Sequence, residues 1–76
     1  MKDNMTLNEA IQLKIGDVVQ YSQIHFASIP ENKRVDTRIE VVTGEYQYNV
    51  ERLGWSVRLE TLGINCHNFR HFKKLS

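Results

Sequence analysis

The spacing of apolar residues along this chain changes once, close to Gly16. Before it, Leu7, Ala10, Ile11 and the stem of Lys14 recur at helical spacing. Thr6-Leu7-Asn8-Glu9 stands just ahead of that run. A Thr hydroxyl at the N-cap and a Glu three residues on form a capping box, each satisfying an orphan backbone N–H. Met5 is placed to staple the helix start against Ala10. The pattern predicts a helix of about two turns, too short to stand alone in water, so it must pack on something.

After Gly16-Asp17 the period is two. Asp17 to Ser22 reads as a first strand, with a continuation toward Ile24-His25-Phe26. Ala27 to Thr37 holds the one proline and a run of charged and polar residues, and reads as a long loop. Arg38 to Val50 is a second extended segment with a parity switch. Ile39 and Val41 share one face, and Tyr46, Tyr48 and Val50 the other. A switch of parity requires an extra residue or a bend, placed here at Gly44; a turn at Thr43-Gly44-Glu45 is the alternative. Glu51 to Gly54 is a turn. Trp55, Val57 and Leu59 then alternate with Ser56, Arg58 and Glu60, which predicts a strand with Trp55 facing the core. Thr61-Leu62-Gly63 turns the chain into a short strand over Ile64 to His67. Phe69 and Phe72 sit at one helical turn's spacing and read as plugs at one end of the fold. Lys73 to Ser76 is a last short strand.

Seventy-six residues make one domain. Residues 1–5 read as a flexible lead and 6–76 as the folded unit. A chain this short buries only about 60% of the surface it exposes when unfolded, which leaves little room for a deep, dry active site. The 25% charged content is that of an ordinary folded domain. No window approaches the roughly 18 apolar residues of a membrane span, and the N-terminus lacks a signal-peptide core. One cysteine, Cys66, cannot form an internal disulfide. A cytoplasmic setting with no membrane association is expected.

The layout resembles small SH3-like barrels. The resemblance rests on KIGDVVQY, the long polar loop, the bent second segment, GWSVRLETLG, one helical turn and a final strand. It covers Lys14 to Leu75. It implies a mainly β fold of about five antiparallel strands, closed as a barrel or strongly curled, with the N-terminal helix packed on it. It also implies a binding role, since such barrels commonly bind peptides, proteins or nucleic acid and are rarely enzymes.

Residue chemistry points the same way. Cys66, His67 and His71 raise a metal site, but Cys66 and His67 are neighbours on a strand and no C-x-x-C pair exists; Cys66 reads instead as a small buried thiol. No nucleophile motif, phosphate loop or paired carboxylate stands out, and Glu40, Glu45, Glu51 and Glu60 read as scattered solvent-facing groups. No cofactor, metal or catalytic residue is expected.

Two binding surfaces remain. Tyr21, Phe26, Ile29, Pro30 and Arg34 lie in or beside the long loop, the region that frames a ligand groove in SH3-like barrels. They predict a protein-binding module, a regulator or inhibitor of a larger partner. The alternative is nucleic acid. Up to Glu51, five Lys or Arg stand against eight Asp or Glu; beyond it, five stand against one. Arg52, Arg58, Arg70, His71, Lys73 and Lys74 form that basic third, and phosphate binding needs exposed cations. Pairing of exposed strand edges into a homodimer is open as well.

Overall fold

Thr6 opens α1 (Leu7–Ile11) with both halves of the capping box. Its Oγ1 accepts from the Glu9 N–H at 3.2 Å, and Glu9 Oε1 accepts from the Thr6 N–H at 2.9 Å. Thr6→Ala is expected to cost about 1 kcal/mol, read as a lower urea midpoint with an unchanged slope. An unchanged midpoint would mean that the cap does not hold the helix. The computed structural model describes residues 4–28 and 37–75.

The helix buries a different face from the one its spacing predicts. Ala10 and Leu13 are buried, whereas Leu7 and Ile11 are exposed. With one and a half turns, α1 has no long stripe to bury. Its flanking residues go in instead. Met5, at the end of the stretch read as a flexible lead, is only 1% exposed and shares the core cluster with Ala10 and Leu13. Its N–H donates to the Phe72 carbonyl at 2.8 Å.

Lys14 to Asp17 form the tight turn that hands the chain to the sheet. Asp17 N–H donates to the Lys14 carbonyl at 3.0 Å, and Asp17 Oδ2 accepts from the Lys14 N–H at 2.9 Å. Gly16 sits at φ +100°, the third position of such a turn, where a side chain would be strained.

Among the described residues five antiparallel strands follow: β1 (Val18–Ser22), β2 (Thr37–Asn49), β3 (Gly54–Leu59), β4 (Gly63–Asn65) and β5 (Phe72–Lys74). Their order across the sheet is β4-β3-β2-β1-β5. The mainly β fold with a short helix is therefore present, but the sheet stays open, with β4 and β5 as its edges. β1 stops at Ser22 rather than continuing through Ile24. A 3₁₀ turn over Phe26–Ser28 follows, and a second one over Phe69–His71 leads into β5.

β2 bends through two register shifts against β3, one between Val42 and Gly44 and one between Gly44 and Gln47. A Cβ on Gly44 would lie 3.2 Å from the Arg58 Cβ, so glycine there makes room for the neighbouring strand. In the first half of β2 the even-numbered positions point to the core, so Glu40, expected on a solvent face, is turned inward. Ile39 is 61% exposed, and Glu40 and Val42 face inward. The core lies under the sheet's inner face, where Val19, Val42, Val57, Leu59, Ile64 and Phe72 meet Met5, Ala10 and Leu13.

Both ends of the β3–β4 turn are tied down by carboxylates. Glu40, expected on a solvent face, is 4% exposed. Its Oε1 accepts from the Thr61 N–H at 2.8 Å, and both its oxygens lie 3.0 Å from the Thr61 hydroxyl. Glu60 Oε1 accepts from the Val41 N–H at 3.2 Å. On β4, the Asn68 carboxamide accepts from the Asn65 N–H at 2.7 Å and donates to the Gly63 carbonyl at 2.8 Å.

Candidate functional site

β1 pairs with β2 only as far as Val41, and β4 pairs with β3 only over Ser56 to Arg58. Past Gln47 and Ser56 the β2–β3 hairpin, Tyr48–Asn49 against Gly54–Trp55, therefore runs on as a short two-stranded arm, and the molecule measures 39 × 23 × 20 Å. Tyr48 is paired directly with Trp55 across the arm, and Gln47 with Ser56. Facing pairs put their side chains on one face. Trp55 thus shares the inner face with Tyr48, while Ser56 and Gln47 point outward.

Aromatic rings line that inner face. The Tyr46 and Trp55 centroids are 5.9 Å apart, and those of Trp55 and Phe69 are 6.0 Å apart. The Arg70 guanidinium lies over the Phe69 ring at 5.6 Å. Trp55, expected in the core, is half-buried and packs against the core's edge. The sheet narrows to two strands at this point, so one side of the indole stays open to solvent.

The tip carries the least expected chemistry. Tyr48 is 54% exposed, Val50 73% and Leu53 77%. Leu53 also sits at φ +51°, a left-handed conformation that favours glycine or asparagine. A leucine there costs about 1–2 kcal/mol of backbone strain. Asn49 Oδ1 accepts from the Arg52 N–H at 3.0 Å and fixes the turn. A groove of about 310 Å³ opens beside the tip, walled by Trp55 and Leu53 and rimmed by Asn49, Arg52, Asn65 and His67. A second groove, of about 440 Å³, runs between α1 and β2, with Ile11 and Tyr46 on its walls.

The residues chosen from sequence scatter over the fold. Tyr21 is half-buried, its ring 5.1 Å from that of Phe72 and 6.3 Å from that of His71. Phe26 is fully buried, so its ring belongs to the interior and not to a partner-facing surface. Ile29, Pro30 and Arg34 lie outside the described residues. The six basic residues do not form one patch. Arg52 is at the arm's tip and Arg58 on the outer face of β3, while Lys73 and Lys74 are on β5. Two strands, β2 and β1, separate β3 from β5. His71 is half-buried and packs edge-on against His25, with centroids 4.6 Å apart. Its Nδ1 is buried and has no hydrogen-bond partner among the described residues.

Cys66 is exposed, because its strand ends at Asn65 and the thiol falls in the turn beyond it. Among the described residues, no three His, Cys, Asp or Glu side chains converge on a possible metal position. No described helix is long and apolar enough to cross a membrane.

Sequence reasoning missed Val50, Leu53 and Ile11. A signal was present at the first two: a hairpin turn is normally polar, yet Val50-Glu51-Arg52-Leu53 opens and closes on large apolar residues. Comparison with protein-family models, curated proteins and solved structures gives no match, so the function has to be read from the arm and its surroundings.

Proposed function

We propose that this chain is a non-enzymatic protein-binding module that presents the β2–β3 arm to a larger partner, as a regulator or inhibitor of that partner. One observation carries the reading. Tyr48, Val50 and Leu53 are exposed at the end of the two-stranded arm, and Leu53 holds its place at the cost of backbone strain. Contiguous exposed apolar groups mark interaction sites. Aromatic anchors beside an arginine, here Tyr48 and Trp55 with Arg52, are the usual centres of binding energy. The strand order and single helical turn support placing the module near SH3-like barrels, opened along one seam.

Nucleic acid is the second reading. The row Tyr46–Trp55–Phe69, with Arg70 over its end, has the composition of a stacking platform for single strands.

The test is capture from the native cell with immobilised protein, with and without nuclease, using wild type, Leu53→Gly and Tyr48→Ser. Both changes fall on exposed side chains, so both variants should fold, and Leu53→Gly should melt no lower than wild type because the strain is relieved. The expected result is a nuclease-resistant protein partner that both variants lose. Capture abolished by nuclease and falling steeply with salt would transfer the function to nucleic acid. Full capture by both folded variants would remove the arm from the function.

A further inference from the structure

The outer face of the sheet carries a second apolar surface, independent of the arm. Register fixes its layout. Leu75 N–H donates to the Val18 carbonyl at 2.8 Å, Val18 is paired with Val41, and Val41 exchanges hydrogen bonds with Glu60. Leu75, Val18, Val41 and Glu60 therefore form one row across β5, β1, β2 and the end of β3. The next row, on one side of it, is Lys73, Gln20 and Ile39. Their sequence neighbours Val19, Glu40 and Phe72 are buried beneath the sheet, so these rows face away from the core. A one-sided antiparallel sheet normally keeps its outward positions polar. Here four of seven are Leu, Val or Ile.

We infer that this face is the interface with a second copy of the chain. Charge selects that occupant. The two flanks differ in charge: the β5 flank carries a base in the second row, Lys73, and the β3 flank an acid in the first, Glu60. A two-fold axis parallel to the strands, between β1 and β2, reverses that order in the partner. Val18 of each copy then covers Val41 of the other, Leu75 covers Glu60, and Lys73, one row further along, reaches Glu60 of the other copy diagonally. Glu60 is held at that flank by its bond to the Val41 N–H. Arg58 is also outward-facing but lies on the far side of the first row from Lys73, opposite Gly44. Sheets stacked this way sit about 10 Å apart with their strands crossed by about 30°, within reach of a lysine.

Sedimentation equilibrium over a concentration series tests the arrangement. Wild type should give twice the 8.9 kDa chain mass and dissociate on dilution. Ile39→Lys and Lys73→Glu should each give the monomer mass while keeping the wild-type circular dichroism and melting profile. Exchanging the charges, with Lys73→Glu and Glu60→Lys together, should restore the dimer. The arm variant Leu53→Gly should remain dimeric, which separates this interface from the proposed protein-binding site. A monomer mass at every wild-type concentration overturns the proposal. So does a dimer that persists in folded Ile39→Lys, or a folded charge-exchange variant that stays monomeric.

Discussion

Replacing Phe72 with alanine is expected to cost about 3–5 kcal/mol, the range for removing a buried phenylalanine. The ring is 0% exposed and packs 5.1 Å from that of Tyr21. It opens a strand of only three residues, so β5 has no second large side chain under the sheet to take its place. The Phe72 carbonyl also accepts from the Met5 N–H, which ties the entry to α1 to the start of β5. A cavity here loosens the N-terminal segment and the last strand together. At roughly 0.05–0.15 kcal/mol per residue, a domain of this size has about 4–11 kcal/mol in total. The loss is therefore a large share of the whole, from about a quarter of it upward. Urea titration measures the loss as a lower midpoint. A wild-type midpoint would place the ring outside the core.

Glu40→Ala is the second large effect. A net loss of about 1.5–3 kcal/mol is expected for a hydrogen bond to a charged group. The Thr61 N–H and hydroxyl lose their partner together, freeing the β3–β4 turn from β2. Burial by itself raises the pKa of Glu40. The hydrogen bonds from the Thr61 backbone and side chain and the Leu62 backbone, with the charge of Arg38, outweigh it and hold the carboxyl below its ordinary value. The sign follows from that direction. The ionised group binds fewer protons in the folded state than in the unfolded one. Its contribution is complete above the ordinary glutamate range and disappears as pH falls through the lowered folded value. Chemical denaturation of wild type and Glu40→Gln across acidic pH checks this. The difference between them should be constant near neutrality and shrink below the ordinary carboxylate range. A difference that does not vary with pH would mean that the carboxylate's charge has no part in holding the turn.

The elements of this fold were legible because their signals are local. The Thr6–Glu9 box, the Gly16 turn, the alternation through Val57 and Leu59 and the single turn before β5 each depend on residues a few positions apart. What could not be read depends on partners far along the chain. Glu40 read as a solvent-facing group because it is charged. Glu40 can be buried because Thr61, 21 residues away, satisfies it. That one contact lets the face that carries Glu40 be the inward one.

The candidate site was hidden for a related reason. Trp55 carries the pattern of a core residue, and it does face inward. Where the sheet ends, and hence how much of the indole is covered, is set by how far β1 and β4 extend. Phe26 looked like a surface anchor because it borders a polar loop, yet its own 3₁₀ turn carries it inward. The basic third of the sequence was divided by strand order, which no local pattern encodes. Leu53 was the exception. Its apolar side chain in a turn was visible from the start, and only its φ shows what that position costs.

The two hydrogen bonds of the Asn68 carboxamide have a consequence for assembly. They occupy outward-pointing backbone groups on β4, the positions at which another strand would begin to add. The opposite edge ends in Lys73 and Lys74, whose charges repel a copy of themselves. Among the described residues both margins of the sheet are therefore blunted against strand-by-strand extension. The proposed association across the sheet's face, by contrast, would close on itself after two copies.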